Sequence, residues 1–431
     1  MAELYRDDSR ADAILARAAR RLIPVMAAIY VASFLDRVNI SFAALTMNHD
    51  LGFSEEVFGI GAGIFFLGYF FFEIPSNLML EKFGARMWMC RIMVSWGLIS
   101  MATAFVQGPT SFYVLRFLLG LAEAGLYPGM ILYMTYWFSQ ATRARFIALF
   151  LAAVPAASVI GAPISGWLLG LEGGLHGWQW MLLLEGIPSL LLGAAILWLL
   201  PDRPADAAWL SNEEKAILAA RLAADQLNDA KLGAITGFWE MLADRRIWIL
   251  IIPDFSIVIG LYGMGLWMPQ MIKVLGFSNL ETGFLVALPY IASMIAMVVL
   301  GLSSDRAGER VWHVAGAAFA GALGLLGAVL LHNPVLIIAS FCLAASGIYG
   351  ALAVFWTLPT AILRGMAAAG GLALLNSFAN LGGFFGPYLM GWLKQTTGDY
   401  IVGMSLLAAM LTFAGIATLV IGRVFFKSMR I

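Results

Sequence analysis

The chain has 431 residues, 61% of them hydrophobic and only 12% charged, against roughly 25% charged in a soluble globular protein. That balance excludes a soluble domain and describes a chain embedded in a bilayer. Lys+Arg and Asp+Glu are equal at 26 each, so bulk charge points to neither nucleic acid nor an acidic partner.

The chain begins MAELYRDDSRADAILARAARRL, a charged helical pattern without the apolar core and small-residue cleavage site of a signal peptide. The first apolar segment is therefore expected to remain as a span. A span needs about 20 mostly apolar residues. Such runs occur at 22–47, 57–80, 88–107, 110–138, 146–170, 178–200, 247–272, 282–303, 311–331, 334–357, 368–390 and 401–426, which predicts an all-α membrane protein of twelve transmembrane helices. An even number puts both termini on one side. Segments on that side hold Arg6, Arg10, Arg17, Arg20, Arg21, Lys82, Arg86, Arg143, Arg145, Arg306, Arg310, Arg364, Arg423, Lys427 and Arg430, while the opposite loops hold Lys273 and Lys394. Lys/Arg excess marks the cytoplasmic side, so both termini are expected there.

The one long connection adds Arg203, Lys215, Arg221, Lys231, Arg245 and Arg246 to that side. Within it, Ser211-Asn212-Glu213-Glu214 has the form of a capping box ahead of KAILAARLAADQL, which predicts a short amphipathic helix. The connection reads as a solvated tether between two bundles. The organisation is thus a six-helix bundle over 1–200, a cytoplasmic linker over 201–246 and a second six-helix bundle over 247–431.

The loop NLMLEKFGAR after the second run and GLSSDRAGER after the eighth carry acid, base, glycine and arginine in the same register, 224 residues apart. Pro163 and Pro387 repeat at the same offset. The chain reads as a duplicated six-span unit, and transporters built from repeats place substrate near the midplane between their halves. Glu81, Lys82, Arg86, Asp305, Arg306 and Arg310 in the matching loops are candidate gating residues.

The repeat breaks at the charges. Asp36, Arg37, Arg116 and Glu123 map to Gly260, Leu261, Ser340 and Gly347. A charge near a bilayer centre costs about 2.5 to 3.5 kcal/mol even on the mildest scale, and such residues usually mark a pathway. Asp36 and Arg37, neighbours on one helix, point about 100° apart and cannot face one partner alike. Asn39 lies one turn from Asp36 and is placed to hold it. Arg116 and Glu123 are seven residues apart, two turns, on one face. A buried carboxylate can exchange a proton, and arginine offers a planar fork to carboxylate oxygens. Asp36 and Glu123 are the candidate proton-coupling residues, and Arg37 and Arg116 the candidate anion binders.

Glu73, Glu185 and Asp254 read as members of gating or helix-end hydrogen-bond networks. Tyr69 in the first half and Tyr262, Trp267, Gln270, Trp356, Asn376 and Asn380 in the second are candidate recognition residues. The two asparagines share a face and serve either a helix contact or a hydroxyl-bearing ligand. Cys90 and Cys342 lie in apolar runs and read as packing residues. No role falls to the four histidines. No GxxxxGK, no HExxH and no set of nucleophile, base and orienter occurs, so neither enzyme activity nor a metal or cofactor is expected.

Taken together, LDRVNIS, GYFFFEIPSN into EKFGAR, LRFLLGLAEAGLYPG, GLSSDRAGER, FWTLPT and NSFANLGGFFGPYLMGW resemble the anion:cation symporters of the major facilitator superfamily, in order across nearly the whole chain. The resemblance implies the major facilitator fold and proton-coupled uptake of a small organic anion, such as a hydroxy acid, sugar acid or aromatic carboxylate, across a bacterial inner membrane; a monomer is expected, although the sequence does not identify the oligomeric state. It implies Asp36 and Glu123 as proton-linked carboxylates, Arg37 and Arg116 as charge partners, and Tyr69, Trp356 and Asn376 near the ligand. The sequence departs from the pattern at Phe34, where several members carry tyrosine. Export or exchange of an anion without net proton coupling is the alternative within transport, and a membrane enzyme or a non-transporting receptor the alternative outside it.

Overall fold

Apolar runs of this length fold as helices in a bilayer because only intrasegment hydrogen bonds satisfy the backbone there. The computed structural model describes residues 2–138, 140–230, 244–362 and 366–425, and all regular structure among them is helical. The helices are α1 (Ala2–Leu51), α2 (Glu55–Phe83), α3 (Ala85–Ala102), α4 (Pro109–Glu123), α5 (Leu126–Thr135), α6 (Gln140–Leu168), α7 (Gly177–Leu199) and α8 (Asn212–Ala230) in the first part. The second part holds α9 (Arg245–Lys273), α10 (Asn279–Ala307), α11 (Val311–Leu330), α12 (Pro334–Phe355), α13 (Thr357–Ile362), α14 (Met366–Asn380), α15 (Gly382–Thr397) and α16 (Ile401–Phe425). Among the described residues, ten helical stretches are long and apolar enough to cross a membrane. The expected runs 146–170 and 368–390 fall on α6 and on the broken pair α14 and α15. Outward-facing Leu191, Trp198, Val298 and Leu323 give the bundle an apolar exterior, as a bilayer requires. Of the residues used to assign orientation, Arg6, Arg143, Arg145, Lys231, Arg364, Lys427 and Arg430 have side chains outside the described set.

In the first half, α1 packs on α6 and α7, α2 on α4, and α3 on α7. In the second, α12 packs on α10 and α11, α9 on α15 and α16, and α11 on α16. The halves meet through α2 with α15 and α6 with α10, and these two contacts are copies of each other at the 224-residue offset. A Cβ at Gly59 would lie 2.8 Å from the Pro387 carbonyl oxygen and 3.1 Å from Gly391 Cα. At Gly283, the equivalent position, it would lie 2.4 Å from the Ala162 oxygen and 3.0 Å from Pro163 Cα. Glycine is what lets the backbones touch, the small-residue logic of membrane helix packing. Both contacts sit toward the face away from the termini. There Lys394 Nζ also donates to Glu55 Oε1 at 2.6 Å and to the Tyr400 hydroxyl at 2.6 Å.

Two expected spans are broken, and proline accounts for one of the breaks. Span four stops at Glu123, passes through Gly125 in the left-handed region (φ 86°) and resumes at Leu126. Pro128 lacks an N–H and its ring opposes the carbonyl of Ala124, four residues earlier, so the break falls there. Pro359 stands in the same relation to Phe355, where α12 ends. Span eleven is interrupted at Leu381, between Asn380 and a Gly-Gly pair.

The linker is more than a solvated tether. The predicted capping box is present: Ser211 N donates to Glu214 Oε2 at 2.9 Å, and Glu214 N to Ser211 Oγ at 3.2 Å. Arg10 Nη1 and Nη2 donate to the two carboxylate oxygens of Glu213 at 2.7 and 2.9 Å, and Arg17 Nη2 to Glu214 Oε1 at 2.5 Å. Trp209 lies under Arg17 and Arg21, at 5.9 and 5.1 Å from their Cζ atoms, and stacks on Trp137. Ala207, Leu210 and Leu218 are buried. The polar pairs are exposed and individually weak; the apolar contacts beneath them anchor the docking. Glu214 is held below the ordinary glutamate range by the Ser211 backbone N–H and then by Arg17. A depressed carboxyl favours the docked form at neutral pH, and that contribution is lost as the pH falls through the lowered value. Arg10→Ala combined with Arg17→Ala should speed amide hydrogen exchange across 212–223 several-fold at pH 7; unchanged exchange would show that the apolar contacts suffice.

Candidate functional site

The helix break in span four leaves Glu123 at the C-terminal end of α4, where the helix dipole disfavours an anion. Arg37 of α1 compensates. Its Nη2 donates to Glu123 Oε1, and Ser33 Oγ, one turn earlier on α1, donates to the same oxygen at 3.5 Å. Arg37 Nη1 crosses to the second half and donates to the Tyr262 hydroxyl of α9 at 3.0 Å. The guanidinium also lies over three rings, Phe34 at 4.9 Å and Phe65 and Tyr69 at 5.4 Å each. Such faces stabilise a cation away from water. Its Nε is buried and has no hydrogen-bond partner among the described residues. Arg37 therefore joins the charged centre of the first half to Tyr262 of the second.

Asp36 faces elsewhere, as the turn between neighbours requires. Its Oδ1 accepts from Asn39 Nδ2 at 3.2 Å and from Ser100 Oγ of α3 at 3.1 Å, and its Oδ2 accepts from Ser189 Oγ of α7 at 2.7 Å. Asn39 holds the acid from one turn away, as expected. All three donors are neutral, so Asp36 can exchange a proton without an ion pair being broken. Ser100 and Ser189 carry no spacing that singles them out in the sequence; the only available sign is a hydroxyl buried in an apolar helix.

Arg116 shares a face of α4 with Glu123 yet does not bond it. Its Nε and Nη2 donate to the backbone oxygens of Gly61 and Ala62 on α2 at 3.1 and 3.3 Å, and its Cζ lies 5.2 Å from the Phe65 ring centre. Arg116 braces the wall behind Arg37. Trp267 is fully buried at the sealed face, with its Nε1 on the Pro387 oxygen at 3.2 Å and its ring edge-on to Phe58 at 5.1 Å. It is distant in role from Tyr262, which sits at the centre against Phe66 at 4.3 Å. Gln270 is buried with an unpartnered Nε2 among the described residues. Tyr69 is buried beneath Arg37. Trp356 is half-buried at the break between α12 and α13, and Asn380 is half-buried at the end of α14. Asn376 donates to Glu73 Oε1 at 3.1 Å, which puts Glu73 in a hydrogen-bond network between the halves, one of the two placements expected of it.

In the matching loops, Arg310 pairs with Asp305 at 2.6 Å and donates to Ser304 Oγ at 3.0 Å. Arg86 uses its backbone N–H on Asp202 Oδ1 at 2.8 Å, and Lys82 lies 5.5 Å from the Phe83 ring centre. Glu81 and Arg306 are exposed.

A sequence profile of the Major Facilitator Superfamily matches residues 26–387. The chain belongs to the Major Facilitator Superfamily. A protein of Agrobacterium vitis named as a tartrate transporter is 48% identical to it over 414 residues, covering 95% of this chain and 91% of that protein. The metabolite transport protein NicT of Pseudomonas putida is 45% identical over 398 residues, covering 91% and 90%. Among solved structures, a bacterial homologue of the human lysosomal transporter Spinster, inward-facing and occupied, superposes with a TM-score of 0.76 at 16% identity, over 94% of this chain and 97% of that one. As a superfamily member the chain is a multi-pass membrane transporter.

Proposed function

We propose that the chain is a proton-coupled symporter that imports a small organic carboxylate across a bacterial inner membrane by alternating access. The observation that carries this reading is Arg37, a permanent planar cation shared between Glu123 of one half and Tyr262 of the other. A substrate carboxylate is the natural replacement for Glu123 on that guanidinium. The names borne by the relatives, a tartrate transporter among them, fit a site of this kind.

In this cycle twelve spans form two six-helix units, 1–200 and 247–431, with both termini in the cytoplasm. From outside, protons load Asp36 and Glu123. Neutral Glu123 leaves Arg37 free, and the substrate carboxylate takes its place beside Tyr262 and Tyr69. The halves then rock until the contacts at Gly59 and Gly283 seal the outer face, and the site opens inward. Loss of the protons restores the Glu123 carboxylate, which reclaims Arg37 and expels the anion. The loop charges from Glu81 to Arg86 and from Asp305 to Arg310 stabilise one of the two orientations.

The deciding measurement is uptake of a panel of organic acids, L-tartrate included, into proteoliposomes with an imposed pH gradient, acid outside. Gradient-driven accumulation supports symport; exchange indifferent to the gradient overturns it. Arg37→Lys replaces a fork with a point charge and should raise KM for the transported acid about tenfold, equivalent to losing one charged hydrogen bond. Unaltered KM would remove Arg37 as the carboxylate binder.

A further inference from the structure

Glu73 takes no part in the cycle just described, yet it is 2% exposed and lies between the halves. It follows Tyr69 by one turn of α2, so the two share a face. Both of its oxygens are taken by the second half: Oε1 accepts from Asn376 Nδ2 at 3.1 Å and Oε2 from Ser377 Oγ at 2.5 Å. Ser377 is itself buried. Beside these bonds, Phe378 meets Phe70 of α2 edge-on at 5.4 Å and Trp248 of α9 at 5.0 Å. The polar contact is thus shielded by an aromatic one between the same two halves. No cation bonds Glu73 among the described residues; its partners are an amide and a hydroxyl, donors that suit a carboxylate or hydroxyl group of a small acid equally well.

We propose that Glu73 is an internal latch, a carboxylate that ties α2 to α14 through Asn376 and Ser377 until a second polar group of the transported acid takes those donors. The part concerning substrate rests on the organic-acid reading above; the latch does not. When the donors are taken, Glu73 loses both bonds, and a buried carboxylate left without partners is strongly unfavourable. The two helices then part to let it reach water, so occupancy is converted into opening. An acid with a hydroxyl or second carboxylate releases the latch. A simple monocarboxylate that reaches only Arg37 does not.

The test uses the full chain with Cys90→Ser and Cys342→Ser, carrying nitroxide labels at Lys82→Cys and Arg245→Cys. Both positions are exposed, at the termini-side ends of α2 and α9. Without any ligand, Glu73→Ala should at least double the population of long label separations, and Glu73→Gln, which keeps one accepting oxygen, should fall between it and the wild type. Ser377→Ala removes a donor from the other side without touching α2 and should shift the distances in the same direction, which guards against a folding defect particular to Glu73 variants. L-Tartrate should lengthen the wild-type distances and propionate should not. Its Kd should tighten about threefold to tenfold in Glu73→Ala, because the internal competitor is gone, while that of propionate stays fixed. Distances unchanged in both Glu73→Ala and Ser377→Ala overturn the latch. Distances that shift as stated, in a protein that binds neither acid, overturn the organic-acid reading and leave the latch standing.

Discussion

Glu123→Gln is expected to cut accumulation driven by a pH gradient about tenfold per pH unit while exchange of substrate across the membrane remains measurable. Glutamine has the shape of a protonated glutamate, and its amide oxygen still accepts from Arg37 Nη2 and Ser33 Oγ, the two donors that Glu123 has now. It cannot gain or lose a proton. Substrate can therefore still reach Arg37, but the step in which a recovered carboxylate reclaims the guanidinium is missing. Each coupled proton contributes about 1.4 kcal/mol, or tenfold in accumulation, per pH unit imposed. The variant should forfeit about that factor at one pH unit, measured as the plateau of labelled acid in proteoliposomes. Counterflow, which needs no net proton movement, should persist. Undiminished gradient-driven accumulation would remove Glu123 from the coupling path and leave Asp36, with its three neutral donors, as the remaining carrier.

What could be read from the chain alone, and what could not, divides along physical lines. Apolar periodicity and length fixed the helical stretches, because the bilayer leaves the backbone no alternative. The 224-residue repeat reappears in the structure as the paired contacts at Gly59 and Gly283, since related sequences bury related faces. Helical geometry sent Asp36 and Arg37 to different partners and brought Asn39 onto Asp36. Spacing failed where a long-range partner decides. Arg116 and Glu123 are on one face of α4, but nothing local says that Arg116 will find the carbonyls of Gly61 and Ala62 while Glu123 finds Arg37. The break that puts Glu123 at a helix end was signalled by Gly125 and Pro128, two residues that pass for ordinary membrane-helix composition. Nothing local chooses between a gating and a helix-end network for Glu73, because its partners on α14 are more than 300 residues away. Trp267 was grouped with Tyr262 as a recognition residue. Its five-residue displacement along α9 carries it about 7.5 Å, enough to move it from the centre to the seal.

That seal supports the second large effect. Gly283→Leu, and Gly59→Leu at its repeat-related position, should each cut transport more than tenfold while substrate binding from the face away from the termini is retained. At both positions a Cβ alone would meet a backbone oxygen, 2.4 Å away at Gly283 and 2.8 Å at Gly59, and neither oxygen is the tip of a side chain that can swing aside. Overpacking of this kind costs about 1 to 3 kcal/mol or more in a rigid core. Here the cost falls on only one of two conformations, because the contact exists only while the face away from the termini is closed. A penalty on one side of a two-state equilibrium shifts it by about tenfold for each 1.4 kcal/mol, and a transporter held on one side cannot cycle. Gly316→Leu is the control: Gly316 is exposed, and a Cβ there meets nothing within 4 Å. Uptake and binding are measured on the same preparations. If Gly283→Leu binds and transports like Gly316→Leu, then the contact of α6 with α10 need not open, and alternating access must use another surface. If binding is lost together with transport, the substitution has disturbed the fold, and Gly283→Ala, with a single added methyl, separates the two by showing whether transport falls before binding does.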